Sequence, residues 1–74
     1  MITNKTVFVQ IMAFDKHSAD NFSRTIVADT KESFNKQVED FESEVPFTKF
    51  YIEMIADEVL NDDQLAIVED HEVN

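Results

Sequence analysis

Not one glycine or cysteine occurs among the 74 residues of this chain, and that double absence narrows what it can fold into before any periodicity is read. Average usage of roughly 7% would put about five glycines in a chain of this length. Without them, tight turns must draw on Asn and Asp, which tolerate a positive φ better than other residues. Gly-rich phosphate loops and dinucleotide fingerprints are excluded, and an EF-hand loop loses the residue its sharp central turn needs. Without cysteine there are no disulfides and no thiolate zinc sites. A domain this small buries a modest share of its surface, so its stability has to come from a close-packed core or from a partner subunit.

The chain has the material for such a core: 43% of its residues are hydrophobic and seven are Phe, which separates it from disordered sequences. No apolar run approaches the roughly 20 residues of a membrane span. The start, Met1-Ile2-Thr3-Asn4-Lys5, is not a signal peptide, and the run from Val7 to Phe14 is broken by Gln10 with no small-residue cleavage site after it. The expectation is a complete, soluble, cytoplasmic protein with residues 1–74 as a single domain.

Between Lys5 and Phe14, Val7, Val9 and Ile11 alternate with Phe8, Gln10, Met12 and Phe14, the period of a strand with two largely apolar faces. Asp15 to Asn21 reads as a loop and Phe22 to Ala28 as a returning strand with Phe22, Arg24 and Ile26 on one side. Asp29-Thr30-Lys31-Glu32 has the pattern of a capping box with Asp29 as the cap, and Phe34, Val38, Phe41 and Val45 then form one helical stripe. Pro46 biases Val45 away from helical angles, so the helix ends at about Ser43 or Glu44. Phe47 to Ile55 resumes a strand with Phe50, Ile52 and Met54 on one face. After Asn61-Asp62-Asp63 two readings stand: a fourth strand from Gln64 to Glu69, preferred because Ile67 and Val68 are β-branched, or a short helix containing Leu65 and Val68. The tail from Asp70 to Asn74 is expected to fray. The order β-β-α-β, then β or a short helix, predicts an α+β fold: three or four mainly antiparallel strands with one helix on a face.

Sixteen acids against six Lys and Arg leave a net charge of −10, and the excess is uneven. From residue 39 onward there are twelve acids and one cation, Lys49, whereas the first 38 residues carry four acids and five cations. Glu39, Asp40, Glu42 and Glu44 crowd the C-terminal half of the helix, where the macrodipole is negative and each exposed carboxylate costs roughly 0.3–1 kcal/mol. A second group comprises Glu53, Asp57, Glu58, Asp62 and Asp63. If the second half folds on one side, these acids make a single negative face that speeds encounter with a basic partner and loses that advantage in salt. The plainer alternative is that the charge serves solubility.

Catalysis has little support, since neither His17, in a loop, nor His71, in the tail, is flanked by a motif that positions it beside a nucleophile. No carboxylate spacing matches a known metal loop, and no cofactor is expected. Direct nucleic-acid binding is disfavoured, because phosphate contacts need Lys and Arg. One short helix covers only one face of a sheet. The surplus apolar residues Phe8, Met12 and Phe14 therefore predict a homodimer interface if Val7, Val9 and Ile11 face the helix.

In size, acidity, lack of cysteine and compact α+β pattern the chain resembles small phage-encoded DNA-mimic proteins, the host-takeover and anti-defence inhibitors, and among them those directed at the histone-like nucleoid protein HU. The resemblance is one of overall character and carries no motif. It implies a non-catalytic dimer in the host cytoplasm whose carboxylates occupy the DNA-binding surface of a basic protein. Two alternatives differ from it: a dimeric regulatory or adaptor domain that binds a protein through its apolar sheet, and an inhibitor that plugs the basic site of a defence enzyme or toxin.

Overall fold

The computed structural model describes residues 4–74; Met1, Ile2 and Thr3, which open the segment read as no leader, lie outside the described residues. The elements are β1 (Val7–Asp15), β2 (Asn21–Ala28), α1 (Lys31–Glu44), β3 (Phe50–Ala56) and α2 (Asp62–Val68). The fold is α+β, with a three-stranded antiparallel sheet in the order β2-β1-β3. β1 takes the centre because it is the strand with apolar residues on both faces. Its register places Ile11 between Arg24 and Met54, and Met12 between Ser23 and Glu53.

Val7, Val9, Ile11 and Ala13 are fully buried beneath Phe34, Val38 and Phe41 of α1, with Ile26 and Met54 completing the core from the outer strands. The opposite sheet face carries Phe8, Met12 and Phe14 of β1 beside Val27, Tyr51 and Ile55, all partly or largely exposed. Phe14 and Tyr51 stack there with ring centroids 5.1 Å apart. No described element covers this face.

Several boundaries differ from the sequence expectations. The cap of α1 is Thr30, whose hydroxyl accepts a bond from the Ser33 N–H at 3.1 Å, and not Asp29 with Glu32. Pairing with β1 holds β2 to Ala28, so Asp29 and Thr30 both fall in the turn and only Thr30 directly precedes the helix. β3 begins at Phe50 and not at Phe47, since β1 ends at Asp15 opposite Phe50 and the pairing continues past it only in the Lys16 N–H bond to the Lys49 carbonyl at 3.0 Å. No described residue has a positive φ. The β1–β2 loop turns instead on the Asp15 carboxylate, which accepts bonds from the His17 N–H at 3.0 Å and the Ser18 hydroxyl at 2.8 Å.

The segment after Asn61 is a helix, which corrects the preferred fourth strand. Asn61 and Gln64 close a reciprocal capping box, and the Gln64 amide also donates to the Thr6 carbonyl at 2.9 Å. Ile67 and Val68 are buried, with α2 packed against α1, while Leu65 stays half exposed, so tertiary packing overrides their β preference. The expected fraying of Asp70 to Asn74 is also corrected. Asn74 N–H donates to the Met54 carbonyl at 2.9 Å and the Asn74 carbonyl accepts from Ala56 N–H at 2.8 Å, closing part of the β3 edge. His71 packs on the Phe34 ring at 5.4 Å, and its Nε2–H donates to Asn35 Oδ1 at 2.8 Å, since that oxygen can only accept.

Candidate functional site

Chain direction sorts the acidic residues into separate places. β2 ends at Ala28 beside Val7, so α1 starts at that end of the sheet and its 14 residues carry the chain about 21 Å toward the β1–β2 loop. The helix runs from Gln37, whose amide donates to the Val27 carbonyl at 2.9 Å, to Glu44, which meets Arg24, so Glu39, Asp40, Glu42 and Glu44 lie along its second half beside β2. β3 then runs back from Phe50, opposite Asp15, to Ala56, opposite Val9. Asp57, Glu58, Asp62 and Asp63 thus follow at that end of the sheet, where the Asn61 amide donates to the Asn4 carbonyl at 3.0 Å. Glu53 stands apart, on the open sheet face opposite Met12. The acids expected to share one negative face are divided between the second half of α1 and the segment around the start of α2, because β3 returns the chain through the sheet between them.

The α1 group is also less exposed to its own dipole than its sequence implies. The last turn holds no basic residue, but Arg24 reaches across from β2 and its guanidinium meets Glu44 Oε2 at 3.0 Å. That guanidinium lies 5.9 Å from the Phe22 ring centroid and 5.7 Å from that of Phe41. Lys36 Nζ meets Asp40 Oδ1 at 3.0 Å one turn away. Lys31 binds Glu69 at 2.7 Å and Asp70 at 3.4 Å, fastening the tail to the start of α1. Glu39, Glu42, Glu53, Asp57, Glu58, Asp62 and Asp63 are exposed and form no ion pair among the described residues. Asp62 and Asp63 stand in the first turn of α2, where the macrodipole favours them.

Hydrogen bonds set the directions in which the paired groups titrate. The bond from Arg24 holds the Glu44 carboxyl below its ordinary value, and the same contact raises Arg24. Asn35 and then Lys31 lower Asp70, and the His17 N–H and the Ser18 hydroxyl lower Asp15. Bonds to Glu69 and Asp40 raise Lys31 and Lys36 respectively. Because the three carboxyls are depressed in the folded state, their contribution to stability is complete above the unfolded values. It is lost as the pH falls below 4.5 for Glu44 and below 3.8 for Asp15 and Asp70. At neutral pH the net charge of −10 makes self-repulsion the larger electrostatic effect, and salt at about 0.1 M screens charges more than roughly 10 Å apart. The melting temperature at pH 7 is therefore expected to rise with added sodium chloride. A melting temperature that fell with salt would mean that the exposed ion pairs outweigh the repulsion.

Comparison with protein-family models, curated proteins and solved structures gives no match. Among the described residues no three His, Asp or Glu side chains are placed to hold a metal ion. No described helix is long and apolar enough to cross a membrane. His17 is exposed in the β1–β2 loop, and His71 is half-buried in the tail network.

At the end bearing Asp57 and Glu58, a cavity of about 480 Å³ opens between the start of β1 and the loop into α2, and Phe8, Val59 and Leu60 contribute its apolar lining. Val59 beside it is 98% exposed, which no local packing explains. The signal available in sequence was an apolar pair, Val59-Leu60, set inside an otherwise acidic run from Asp57 to Asp63.

Proposed function

We propose that this chain is a non-catalytic, cytoplasmic inhibitor that presents carboxylates to the DNA-binding surface of a basic protein and so excludes DNA from it. The observation that carries this reading is a pair of acidic groups, Glu39 with Glu42 on α1 and Asp57, Glu58, Asp62 and Asp63 around the start of α2, exposed and without an ion pair among the described residues, on a body 39 Å long. That length is close to one turn of B-DNA, about 34–36 Å. A duplex carries roughly one charge per 1.7 Å, so a segment as long as this protein holds about 23 charges. The protein's net −10 is under half of that, and a pair of copies would come near it. The resemblance to phage DNA mimics makes an HU-like nucleoid protein the first target to test.

The test is competition: purified HU on a fluorescent duplex, titrated with this protein at two salt concentrations and followed by anisotropy. Displacement of DNA, weakened by salt, is expected. Replacing Asp57, Glu58, Asp62 and Asp63 by Asn or Gln should weaken it at least about tenfold, with circular dichroism confirming that α2 survives. Pull-down from nuclease-treated bacterial lysate extends the test to other basic proteins. Retention of no basic protein, or of one indifferent to DNA and salt, would end this reading.

A second reading, a dimeric adaptor contact through the sheet, is favoured by one observation: among the described strand residues Glu53 is the only charged one on the open face bearing Phe8, Met12, Phe14, Tyr51 and Ile55, with Asp57 just beyond the end of β3. That face is where a second copy meets the least repulsion. Substituting Met12 by Glu separates the two readings, since it disables a sheet contact and leaves both acidic groups intact.

A further inference from the structure

We infer that the groove between the start of β1 and the loop from Asp57 to Asn61 is a docking site for an arginine side chain of the basic partner. This rests on the reading above and names where, and by which residue type, that partner is held. The groove measures about 480 Å³, within the range of roughly 300–1,000 Å³ found for binding pockets. Its walls are tied together in the folded chain. Asp57 N–H extends the ladder to the Phe8 carbonyl at 3.1 Å, and the Asn61 and Gln64 amides hold the Asn4 and Thr6 carbonyls. A preformed groove avoids part of the ordering cost of binding.

Charge sets the sign of the occupant and the apolar lining sets its type. Asp57 and Glu58 stand on the same groove as Phe8, Val59 and Leu60, so the occupant must be cationic and must also tolerate an aromatic and aliphatic wall. A guanidinium is planar, weakly hydrated and able to stack on a ring while bonding a carboxylate, whereas an ammonium is compact and strongly hydrated. The chain already contains this arrangement once, in Arg24 lying over Phe22 and Phe41 while it binds Glu44. Val59, 98% exposed at the rim, gains burial only when something occupies the groove.

Titration of the isotope-labelled full chain with nona-arginine and nona-lysine peptides, followed by amide chemical shifts at about 0.15 M salt, tests this. Nona-arginine is expected to bind about fivefold or more tightly than nona-lysine, with shifts centred on Phe8 and Asp57 to Gln64. V59S, at a fully exposed position that cannot disturb the core, and F8L should each weaken nona-arginine about threefold and leave nona-lysine unchanged. Equal affinity for the two peptides, or shifts centred on Glu39 to Glu44, would overturn the groove and leave the inhibitor reading standing. Binding of neither peptide, with no displacement of DNA from HU, would remove both.

Discussion

Phe41→Ala is expected to destabilise the protein by about 3–5 kcal/mol, the usual consequence of removing a fully buried aromatic ring. The Phe41 ring has no solvent exposure, stacks on Phe22 at 5.3 Å and lies beneath the Arg24 guanidinium. Its loss leaves a cavity between α1 and β2 and removes the surface on which Arg24 rests before reaching Glu44. A domain of 74 residues has a total stability of roughly 4–11 kcal/mol, so this one change takes a large share of it. Urea unfolding followed by circular dichroism measures the loss. A value below about 1.5 kcal/mol would mean that the helix repacks onto β2 without the ring, which close-packed interiors rarely permit.

Deleting residues 70–74 is expected to cost about 2–4 kcal/mol, although a frayed tail would cost nothing. Six contacts go together: two backbone bonds from Asn74 to the β3 edge, the packing of Val73 on the core, the His71 cover over Phe34 and the Asp70 bonds to Asn35 and Lys31. The exposed ion pair contributes little, so burial and the two backbone bonds carry most of the effect. Phe34, with no exposure in the intact chain, would face water on the side that His71 now covers. Urea titration of the truncated chain measures the loss. Faster hydrogen exchange at the Ala56 amide, whose acceptor is the Asn74 carbonyl, should accompany it. A change under about 0.5 kcal/mol would show that the tail contacts are in free exchange with solvent.

The elements that could be read directly are those whose signal is local. The period-two run of β1 and the stripe of Phe34, Val38, Phe41 and Val45 both appear at the expected faces. For α2 two local signals compete, the β-branching of Ile67 and Val68 and the Asn61-to-Gln64 capping spacing, and the capping box with core packing decides for the helix. The candidate site was legible as charge and not as place. Composition counts carboxylates, but Arg24 lies 20 residues from Glu44 and Lys31 lies 38 from Glu69, so only folding could show which acids are paired.

By itself the sequence determined the class of the fold, the central apolar strand, the single long helix with its buried stripe, and an acidic excess in the second half. Each of these follows from local periodicity or from simple counting. Only the tertiary structure decided that the acidic excess divides between the second half of α1 and the start of α2, that the tail closes the β3 edge, and that Phe8 shares a groove with Val59. These are contacts between residues far apart in the chain, and their formation depends on strand register and packing geometry that no local pattern encodes.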